Sequence, residues 1–161
     1  MKKTRVLFVC MGNICRSPTA EGVFSALIEK EKVEQQLEIE SAGTHAFHVG
    51  EAPDLRAQKA ATSRGISLSH IKARKVIFGD FDDFDYILAM DEDNYEILIQ
   101  SCPEPLKSKI KYFLDYAPHL ATREVPDPYY GGKYGFERVL DMVEEASLGF
   151  LDALQQSGEV S

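Results

Sequence analysis

The stretch RVLFVCMGNICRSPTAEGVF, residues 5–24, restricts the fold more than any other part of the chain. Its first six residues are mostly apolar and rich in β-branched side chains, as in a strand that is buried on both faces. Ser17 and Pro18 are typical of a helix start, and apolar residues then recur at helical spacing to about Glu34. A short loop therefore joins a buried strand directly to a helix, which indicates an α/β fold.

The rest of the chain repeats this alternation of strands and helices. We predict further strands over 37–41, 85–90 and 110–114, and helices over 53–64, from 91 onward and over 136–154. Strands that alternate with helices pair in parallel. The sequence thus predicts a doubly wound, flavodoxin-like three-layer sandwich with a central four-stranded parallel sheet, in a single domain spanning residues 1–161.

Length, charge and cysteine content exclude several classes of function. A chain of 161 residues can bury a core of its own, and no apolar run approaches the roughly 18 residues of a membrane span, so we expect no membrane role. A net charge of −8 argues against nucleic-acid binding, which depends on a basic surface. The odd cysteine count and the lack of an export signal favour a cytoplasmic protein with reduced thiols.

The predicted loop 10–17 has the residues of an anion-binding site. In a parallel sheet, ligands bind beyond the carboxyl ends of the strands, and this loop lies at such an end. Gly12 and Asn13 tolerate left-handed backbone angles, so the loop can turn its amides inward, and the helix that follows adds the positive end of its dipole. A cysteine that faces such a site is stabilised as a thiolate, which predicts that Cys10 is a nucleophile at neutral pH.

Arg16 and Ser17 complete this loop. The planar guanidinium of Arg16 can hold two oxygens of a phosphate, and Ser17 can donate a hydrogen bond to the Cys10 sulfur. A single cysteine at a strand end is more commonly a small buried residue, and the spacing Cys-x5-Arg also occurs by chance. The combination of strand, Cys10, Gly-Asn, Arg16, Ser-Pro and helix is what favours phosphate chemistry.

Segment 9–18, VCMGNICRSP, resembles the signature of the low-molecular-weight protein tyrosine phosphatases. Four further segments are similar to that family in the same order: SAGTHAF (41–47), GISLSH (65–70), FDYILAMD (84–91) and DPYYGG (127–132). The resemblance covers most of the chain, and SAGTHAF is closer to the bacterial members. It implies a phosphatase that uses no metal and no cofactor, with a phosphate-binding loop at residues 10–17, formed by Cys10, Met11, Gly12, Asn13, Ile14, Cys15, Arg16 and Ser17.

Asp127 lies in a general-acid loop that we place at residues 126–132. A phosphate monoester leaves with difficulty unless its bridging oxygen is protonated, and the prolines on both sides of Asp127 limit where its carboxyl can point. From the residues alone, Asp127 could be an ordinary turn aspartate. The resemblance implies that Cys10 attacks phosphorus to form a phosphocysteine and that Arg16 and the loop amides hold the phosphate oxygens. It also implies that Asp127 protonates the leaving phenol and then activates water.

The resemblance further implies which residues support the loop and which form the pocket. The supporting hydrogen-bond network would comprise Asn13, Ser17, Ser41 and His70. The pocket walls would comprise Ile14, Phe47, Tyr129 and Tyr130. A phenyl ring held between Phe47 and Tyr129 would reach Cys10 at the right depth, whereas phosphoserine would be too short, so we predict a preference for phosphotyrosine. Without the resemblance, His70 would be a surface or core histidine and the tyrosines would be turn residues.

Cys15 has two interpretations. Its counterpart in the family can form a disulfide with the oxidised nucleophile, which would make Cys10 and Cys15 a reversible redox pair. Alternatively, Cys15 is simply packed behind the loop. Five other features carry less weight for function. Asp91 is a weaker candidate for a structural role, His45 and His48 are only a weak metal signal, and Cys102 is structural or incidental. We interpret the acidic run 79–85 as a solvated face and the basic run 72–75 as a solvated patch.

Three other functions compete with that of a tyrosine phosphatase. An arsenate reductase can share the fold and the loop but needs a suitably placed third cysteine, which Cys102 is not. Phosphoarginine phosphatases resemble the same family but carry threonine where this chain has Ile14. A non-catalytic phosphotyrosine-binding module would be expected to lack Cys10 or Asp127. The expected partner is a phosphotyrosine-containing protein, with a tyrosine kinase as the candidate by analogy, and we expect a monomer or a weakly self-associating dimer.

Overall fold

Four parallel strands form the centre of the computed structural model, which describes residues 2–161 apart from the side chain of Lys133. The strands are β1 (Thr4–Cys10), β2 (Leu37–Gly43), β3 (Tyr86–Ala89) and β4 (Ile110–Tyr112). Their order in the sheet is β2-β1-β3-β4, and each neighbouring pair is parallel. Met1, the first residue of the predicted domain, lies outside the described residues.

Helices cover both faces of this sheet. They are α1 (Arg16–Lys30), α2 (Leu55–Thr62), α3 (Asp80–Asp83), α4 (Glu92–Ser101) and α5 (Gly135–Gln156). Short 3₁₀ turns occur at Glu34–Gln36, Glu104–Lys109, Phe113–Tyr116, Pro118–Leu120, Pro128–Tyr130 and Gly132–Tyr134. Among residues 2–161, no helix is both long enough and apolar enough to cross a membrane.

The side chains of β1 alternate between two hydrophobic cores, one on each face of the sheet. Val6 and Phe8 pack into the core shared with α1 and α5, whereas Leu7 and Val9 pack into the core on the side of α3 and α4. All four side chains are fully buried. The predicted doubly wound, flavodoxin-like three-layer sandwich with a four-stranded parallel sheet is therefore confirmed. The strand order places the carboxyl ends of β1 and β3 side by side, so the loops that follow them can form one site.

Helix α1 begins and ends earlier than predicted. Its first residue is Arg16, and no side chain caps its N-terminus, so the predicted cap at Ser17 is wrong. The Ser17 side chain points into the buried interior and bonds to loop and strand atoms instead. The helix ends at Lys30 rather than near Glu34, because Lys32 adopts a left-handed backbone conformation with φ 61°.

The remaining boundaries differ from the prediction by a few residues. Strand β2 continues to Gly43, which pairs with Cys10 at the end of β1. Strand β4 ends at Tyr112, where a 3₁₀ turn begins. Helix α2 begins only after Asp54, whose carboxylate accepts hydrogen bonds from the first free amides of the helix. Strand β3 and helix α5 end within two residues of the predicted positions.

The acidic run 79–85 was predicted to be a solvated face, which holds for the exposed Asp82 and Asp83 but is wrong for Asp80. The run contains α3, and its Asp80 is 3% exposed. The Asp80 carboxylate accepts hydrogen bonds from both terminal nitrogens of the Arg74 guanidinium, at 3.0 and 3.2 Å. Phe81 and Phe84 of the same run are buried in the second core. The run therefore covers one side of that core, and the ion pair between Asp80 and Arg74 holds it in place.

Candidate active site

The loop 10–17 connects β1 to α1 and is held from behind by Asn13. Asn13 is fully buried and has a left-handed backbone conformation, with φ 59°. Its side-chain amide donates to Ser17 Oγ at 2.8 Å and to Ser41 Oγ at 3.0 Å, and its Oδ1 accepts from the Arg74 amide at 3.0 Å. A residue with a side chain costs about 1–2 kcal/mol in this conformation, which these buried hydrogen bonds offset. Contacts from distant parts of the chain thus fix the shape of the loop.

Gly43, at the end of β2, lets the loop pass close to the sheet. A Cβ atom at this position would lie 2.7 Å from the Met11 carbonyl oxygen, closer than side chains normally approach. Two backbone hydrogen bonds join the same segments: the Thr44 amide donates to the Cys10 carbonyl at 2.9 Å, and the His45 amide donates to the Met11 carbonyl at 3.0 Å. These contacts fix where β1 ends and where the loop begins.

A cavity of about 220 Å³ opens beside this loop. Loop residues, Cys10 and Arg16 among them, form one part of its lining. The other part comes from the segment after β2 and from the 3₁₀ turn before α5, and it includes Phe47 and Asp127. The structure therefore brings Cys10, Arg16 and Asp127 to a single cavity, although they are far apart in the sequence.

Cys10 is held next to a hydroxyl group. Its Sγ lies 3.0 Å from Ser17 Oγ, and Cys10 is 3% exposed, so its sulfur is accessible only from the cavity it lines. Ser17 Oγ already accepts a hydrogen bond from the Asn13 amide. The Ser17 hydrogen is then available for the sulfur, with the Ala42 carbonyl at 3.4 Å as the other acceptor. This arrangement suits a sulfur that carries negative charge.

Arg16 is anchored by one end of its guanidinium. Its Nη1 donates to Asp91 Oδ2 at 2.5 Å and to the Val125 carbonyl at 3.1 Å, and the residue is 5% exposed. Burial lowers the pKa of Arg16, but the charge of Cys10 and the hydrogen bond and charge of Asp91 raise it further, so the net shift is upward. Arg16 is therefore a fixed cation beside Cys10. Asp91, which we predicted only as a structural residue of lesser weight, anchors this guanidinium.

Asp127 lies at the start of the Pro128–Tyr130 turn. Its Oδ1 accepts a hydrogen bond from the Tyr129 amide at 3.0 Å, which orients the carboxyl group. The Tyr129 hydroxyl in turn donates to Asp54 Oδ2 at 2.8 Å. Because Asp54 caps α2, the turn that carries Asp127 is tied to the neighbouring helix. Sequence reasoning missed Asp54, because this contact joins residues that are far apart in the chain.

Cys15 lies in the same loop but in a different environment. It is buried, and its thiol donates a hydrogen bond to the Tyr129 hydroxyl at 3.4 Å. Burial, as the largest cause, raises the pKa of Cys15 to about 12, although the hydrogen bond between Cys15 and Tyr129 lowers it in part. Cys15 is thus a protonated thiol at neutral pH. All three cysteines are free in this structure.

The cavity walls differ from the prediction at one position. Phe47 is 67% exposed and stacks on His45, with 5.1 Å between the ring centres, and it lines the cavity together with Ile14 and Tyr129. Tyr130 is 89% exposed and is not part of the lining, so the prediction of Tyr130 as a wall is wrong. Successive side chains of a 3₁₀ turn point about 120° apart, so Tyr129 and Tyr130 cannot both face the cavity.

His48 takes part in the lining, although the sequence suggested only a weak metal signal there. Its Nδ1 lies 2.8 Å from Glu51 Oε2, which holds the ring at the rim. Among the described residues, apart from the Lys133 side chain, no group of three or more histidine, cysteine, aspartate or glutamate residues could hold a metal ion.

The network behind the loop also differs from the prediction. Ser41 Oγ donates to Glu21 Oε1 at 2.6 Å, so the chain of hydrogen bonds runs from Ser17 through Asn13 and Ser41 to Glu21. His70 is exposed and makes no hydrogen bond to this network; burial raises the pKa of Glu21, and the hydrogen bond from Ser41 lowers it in part. The prediction of His70 as a direct hydrogen-bond partner is therefore wrong. The signal for Glu21 was present, because it lies one helical turn after Ser17.

A cysteine, a buried arginine and a carboxylate meet beyond the carboxyl end of β1, in a strand-loop-helix unit of the kind that holds small oxyanions. The family model for low molecular weight phosphotyrosine protein phosphatases matches residues 5–160. The chain belongs to this family and is thus a protein tyrosine phosphatase, a hydrolase.

Individual proteins agree with this assignment. A putative low molecular weight protein-tyrosine-phosphatase of Synechocystis is 44% identical over 151 residues, covering 93% of this chain and 96% of that protein. A crystal structure of a protein tyrosine phosphatase from Entamoeba histolytica, with Hepes in the active site, is 43% identical with a TM-score of 0.93 and covers 97% of this chain and 99% of that one. The crystal structure of YfkJ from Bacillus subtilis is 39% identical with a TM-score of 0.92, covering 98% of each chain.

Proposed function

We propose that the chain hydrolyses phosphotyrosine in proteins through a phosphocysteine intermediate, with Cys10 as nucleophile, Arg16 as phosphate ligand and Asp127 as general acid and base. The observation that carries the proposal is the meeting of these three side chains at one cavity of about 220 Å³. The proposal needs no cofactor, because phosphoryl transfer depends mainly on positioning and on stabilisation of charge.

In the first step, the Cys10 sulfur attacks phosphorus while the bond to the tyrosine oxygen breaks. The Ser17 hydroxyl, 3.0 Å from the sulfur, stabilises the thiolate before attack. Arg16 is anchored through Nη1, so its positive charge is positioned before the substrate arrives and needs no rearrangement as charge develops on the phosphate oxygens. Asp127 gives its proton to the leaving phenol oxygen.

In the second step, the carboxylate of Asp127 takes a proton from water, and the water oxygen attacks the phosphocysteine. The P–S bond breaks, inorganic phosphate leaves, and Cys10 returns as a thiolate. The same carboxyl group can serve in both steps because the hydrogen bond from the Tyr129 amide keeps it at the cavity.

The cavity walls support phosphotyrosine as the substrate. Phe47 and Tyr129 supply aromatic surfaces for a phenyl ring, and Ile14 adds an apolar contact. Ile14 offers no hydroxyl for a guanidinium group, which argues against phosphoarginine. Cys102 is buried in the core on the opposite face of the sheet from Cys10, which argues against the cysteine relay of an arsenate reductase.

Finer aspects of the function are also proposals. A disulfide between Cys10 and Cys15 would protect the oxidised nucleophile. Four further statements are predictions from the sequence: that a tyrosine kinase is the substrate, that the protein is a monomer or a weak dimer, that it is cytoplasmic, and that residues 1–161 form a single domain.

Phosphate release from a phosphotyrosine peptide in excess chelator tests the central proposal. We expect release by the wild type and by Cys102→Ser, which removes a buried thiol outside the cavity, and none by Cys10→Ser. Equal release by Cys10→Ser, or no release by a wild type whose Cys10 thiol is intact, would overturn the mechanism. Phosphoarginine and phosphoserine peptides in the same assay test the substrate class.

A further inference from the structure

A second cavity, of about 430 Å³, lies next to the catalytic cavity and shares Pro128 and Tyr129 with it. We call it the flanking groove. Its other walls come from one side of α2, which supplies Arg56 and Lys59, and from the start of α5, which supplies Phe136. A substrate whose phosphotyrosine occupies the catalytic cavity would therefore place its neighbouring residues close to this groove.

The apolar part of the flanking groove is held rigidly. The Arg56 guanidinium lies over the Tyr129 ring at 4.6 Å and over the Phe136 ring at 5.0 Å. Its Nη2 also lies 3.3 Å from Asp54 Oδ2, and Asp54 accepts the hydrogen bond from Tyr129. The charge of Arg56 is thus balanced by Asp54, and the wall between the two cavities is fixed on both sides.

Lys59 adds a positive charge to the lining of the groove. It lies three residues after Arg56, on the same face of α2, and its side chain is exposed. None of the ion pairs found among the described residues involves Lys59. The acidic residue of the groove, Glu137, lies 2.6 Å from Arg64 and is not paired with Lys59. Arg64 also pairs with Asp141 and Glu144, each at 2.9 Å. Among the side chains that the structure describes, Lys59 is the lysine that lines this groove, on a protein whose net charge is −8.

We propose that the flanking groove binds an acidic side chain of the substrate, an aspartate or glutamate within about three residues of the phosphotyrosine. An extended peptide advances about 3.3 Å per residue. The two cavities share Pro128 and Tyr129 in their linings, so a residue close to the phosphotyrosine reaches the groove. The negative protein would otherwise repel an acidic peptide, and Lys59 offsets that repulsion locally. This inference rests on the proposed function, since it places phosphotyrosine in the catalytic cavity.

The test compares phosphotyrosine peptides that differ only by aspartate or asparagine at one flanking position, from three residues before to three residues after the phosphotyrosine. For the wild type we expect aspartate at one or two positions to raise kcat/KM by about two- to fivefold at low salt, mainly through KM. Lys59→Glu should abolish or invert that ratio. Lys111→Glu makes the same charge change at an exposed position of β4 and should keep the ratio.

Turnover of p-nitrophenyl phosphate, which has no flanking residues, reports separately on the catalytic cavity. If wild-type turnover of this compound fails, the proposed function fails. The groove is then still tested by the affinity of Cys10→Ser for the same peptide pairs. The proposal is overturned if the wild type treats the aspartate and asparagine peptides equally. It is also overturned if Lys59→Glu keeps the wild-type ratio between the two peptides, or if Lys111→Glu lowers that ratio as much as Lys59→Glu does.

Discussion

The carboxylate of Asp91 joins the loop 10–17 to helix α4, because Arg16 Nη1 lies 2.5 Å from Asp91 Oδ2. The other oxygen of the same carboxylate, Oδ1, accepts a hydrogen bond from the Asn94 amide at 2.8 Å and caps α4. The Asp91 side chain therefore both pairs with Arg16 and caps α4, at the adjacent ends of β1 and β3. A substitution that keeps the cap but removes the negative charge shows what the charge contributes to stability and activity.

Asp91→Asn keeps an acceptor for the helix cap but removes the charge that Arg16 needs. We expect the free energy of unfolding to fall by about 1.5–3 kcal/mol, because a hydrogen bond between charged groups is lost in a buried setting. We expect kcat/KM for p-nitrophenyl phosphate to fall by roughly ten- to a hundredfold, because the guanidinium is no longer held in position. Urea denaturation and steady-state kinetics measure the two effects.

Two further variants complete this comparison. Asp91→Ala should lose about 1 kcal/mol more than Asp91→Asn, because the cap is lost as well. Asp115→Asn breaks an exposed pair with Arg123 and should cost less than about 1 kcal/mol. Equal stability of Asp91→Asn and Asp115→Asn would contradict the role of the buried pair.

Substitutions of Asn13 can distinguish the contribution of its left-handed backbone conformation from that of its side-chain hydrogen bonds. Asn13→Gly keeps the left-handed conformation and loses the side-chain bonds, whereas Asn13→Ala loses both. We expect both variants to be less stable and less active than the wild type, with alanine about 1 kcal/mol less stable than glycine. Denaturation curves for the two variants give this difference directly. A more stable alanine variant would mean that the loop does not require the left-handed residue.

The sequence predicted the sheet and the loop because both depend on neighbouring residues. The strand 5–10, the Gly-Asn pair and the Ser-Pro pair are local patterns, and parallel pairing follows from the alternation of strands and helices. The boundary of α1 was wrong because a cap was assigned from residue type, whereas the Ser17 hydroxyl is taken by the buried network. The Ser17 hydroxyl could either cap α1 or join the buried network, and tertiary contacts select the network.

The parts of the site that the sequence did not predict all involve distant partners. Asp91 anchors Arg16, Asp54 holds Tyr129, and Glu21 ends the network that was expected to reach His70. Each of these residues is a carboxylate, and the sequence contains 26 aspartate and glutamate residues, so residue type alone does not select three of them. Only the sheet order and the path of the loops bring these partners together.

The thiols should react at very different rates. Burial raises the pKa of Cys15 to about 12 and also raises the pKa of Cys102, so both are protonated at pH 7.5. Cys10 lines the cavity beside Arg16, so we expect iodoacetamide at that pH to modify Cys10 first and inorganic phosphate to slow its modification. Peptide mass spectrometry identifies the labelled residue. Labelling of Cys15 as fast as that of Cys10 would show that Cys15 is not held as a buried thiol.

Alkaline pH should destabilise the protein through Cys15 and Tyr116. Burial raises the pKa of Tyr116 from 10.0 to about 12, with smaller contributions from the charges of Asp115 and Glu159, and the pKa of Cys15 rises from 9.0 to about 12. Between about pH 9 and 12 the unfolded chain releases these protons while the folded chain keeps them. The folded state then binds more protons, so the free energy of unfolding decreases as pH rises through this window. Below about pH 8 both groups are protonated in the folded and unfolded chain and add almost nothing to the slope.

Tyr116→Phe isolates the contribution of the phenol. Phenylalanine keeps a ring against Phe150, whose centre lies 4.9 Å from that of Tyr116, but has no proton to lose. We therefore expect urea denaturation at pH 8, 9, 10 and 11, in the presence of a reducing agent, to give a shallower loss of stability above pH 10 for Tyr116→Phe than for the wild type. Tyr130→Phe makes the same chemical change at the surface and should follow the wild type. Parallel curves for Tyr116→Phe and the wild type would show that this phenol is not kept protonated by burial.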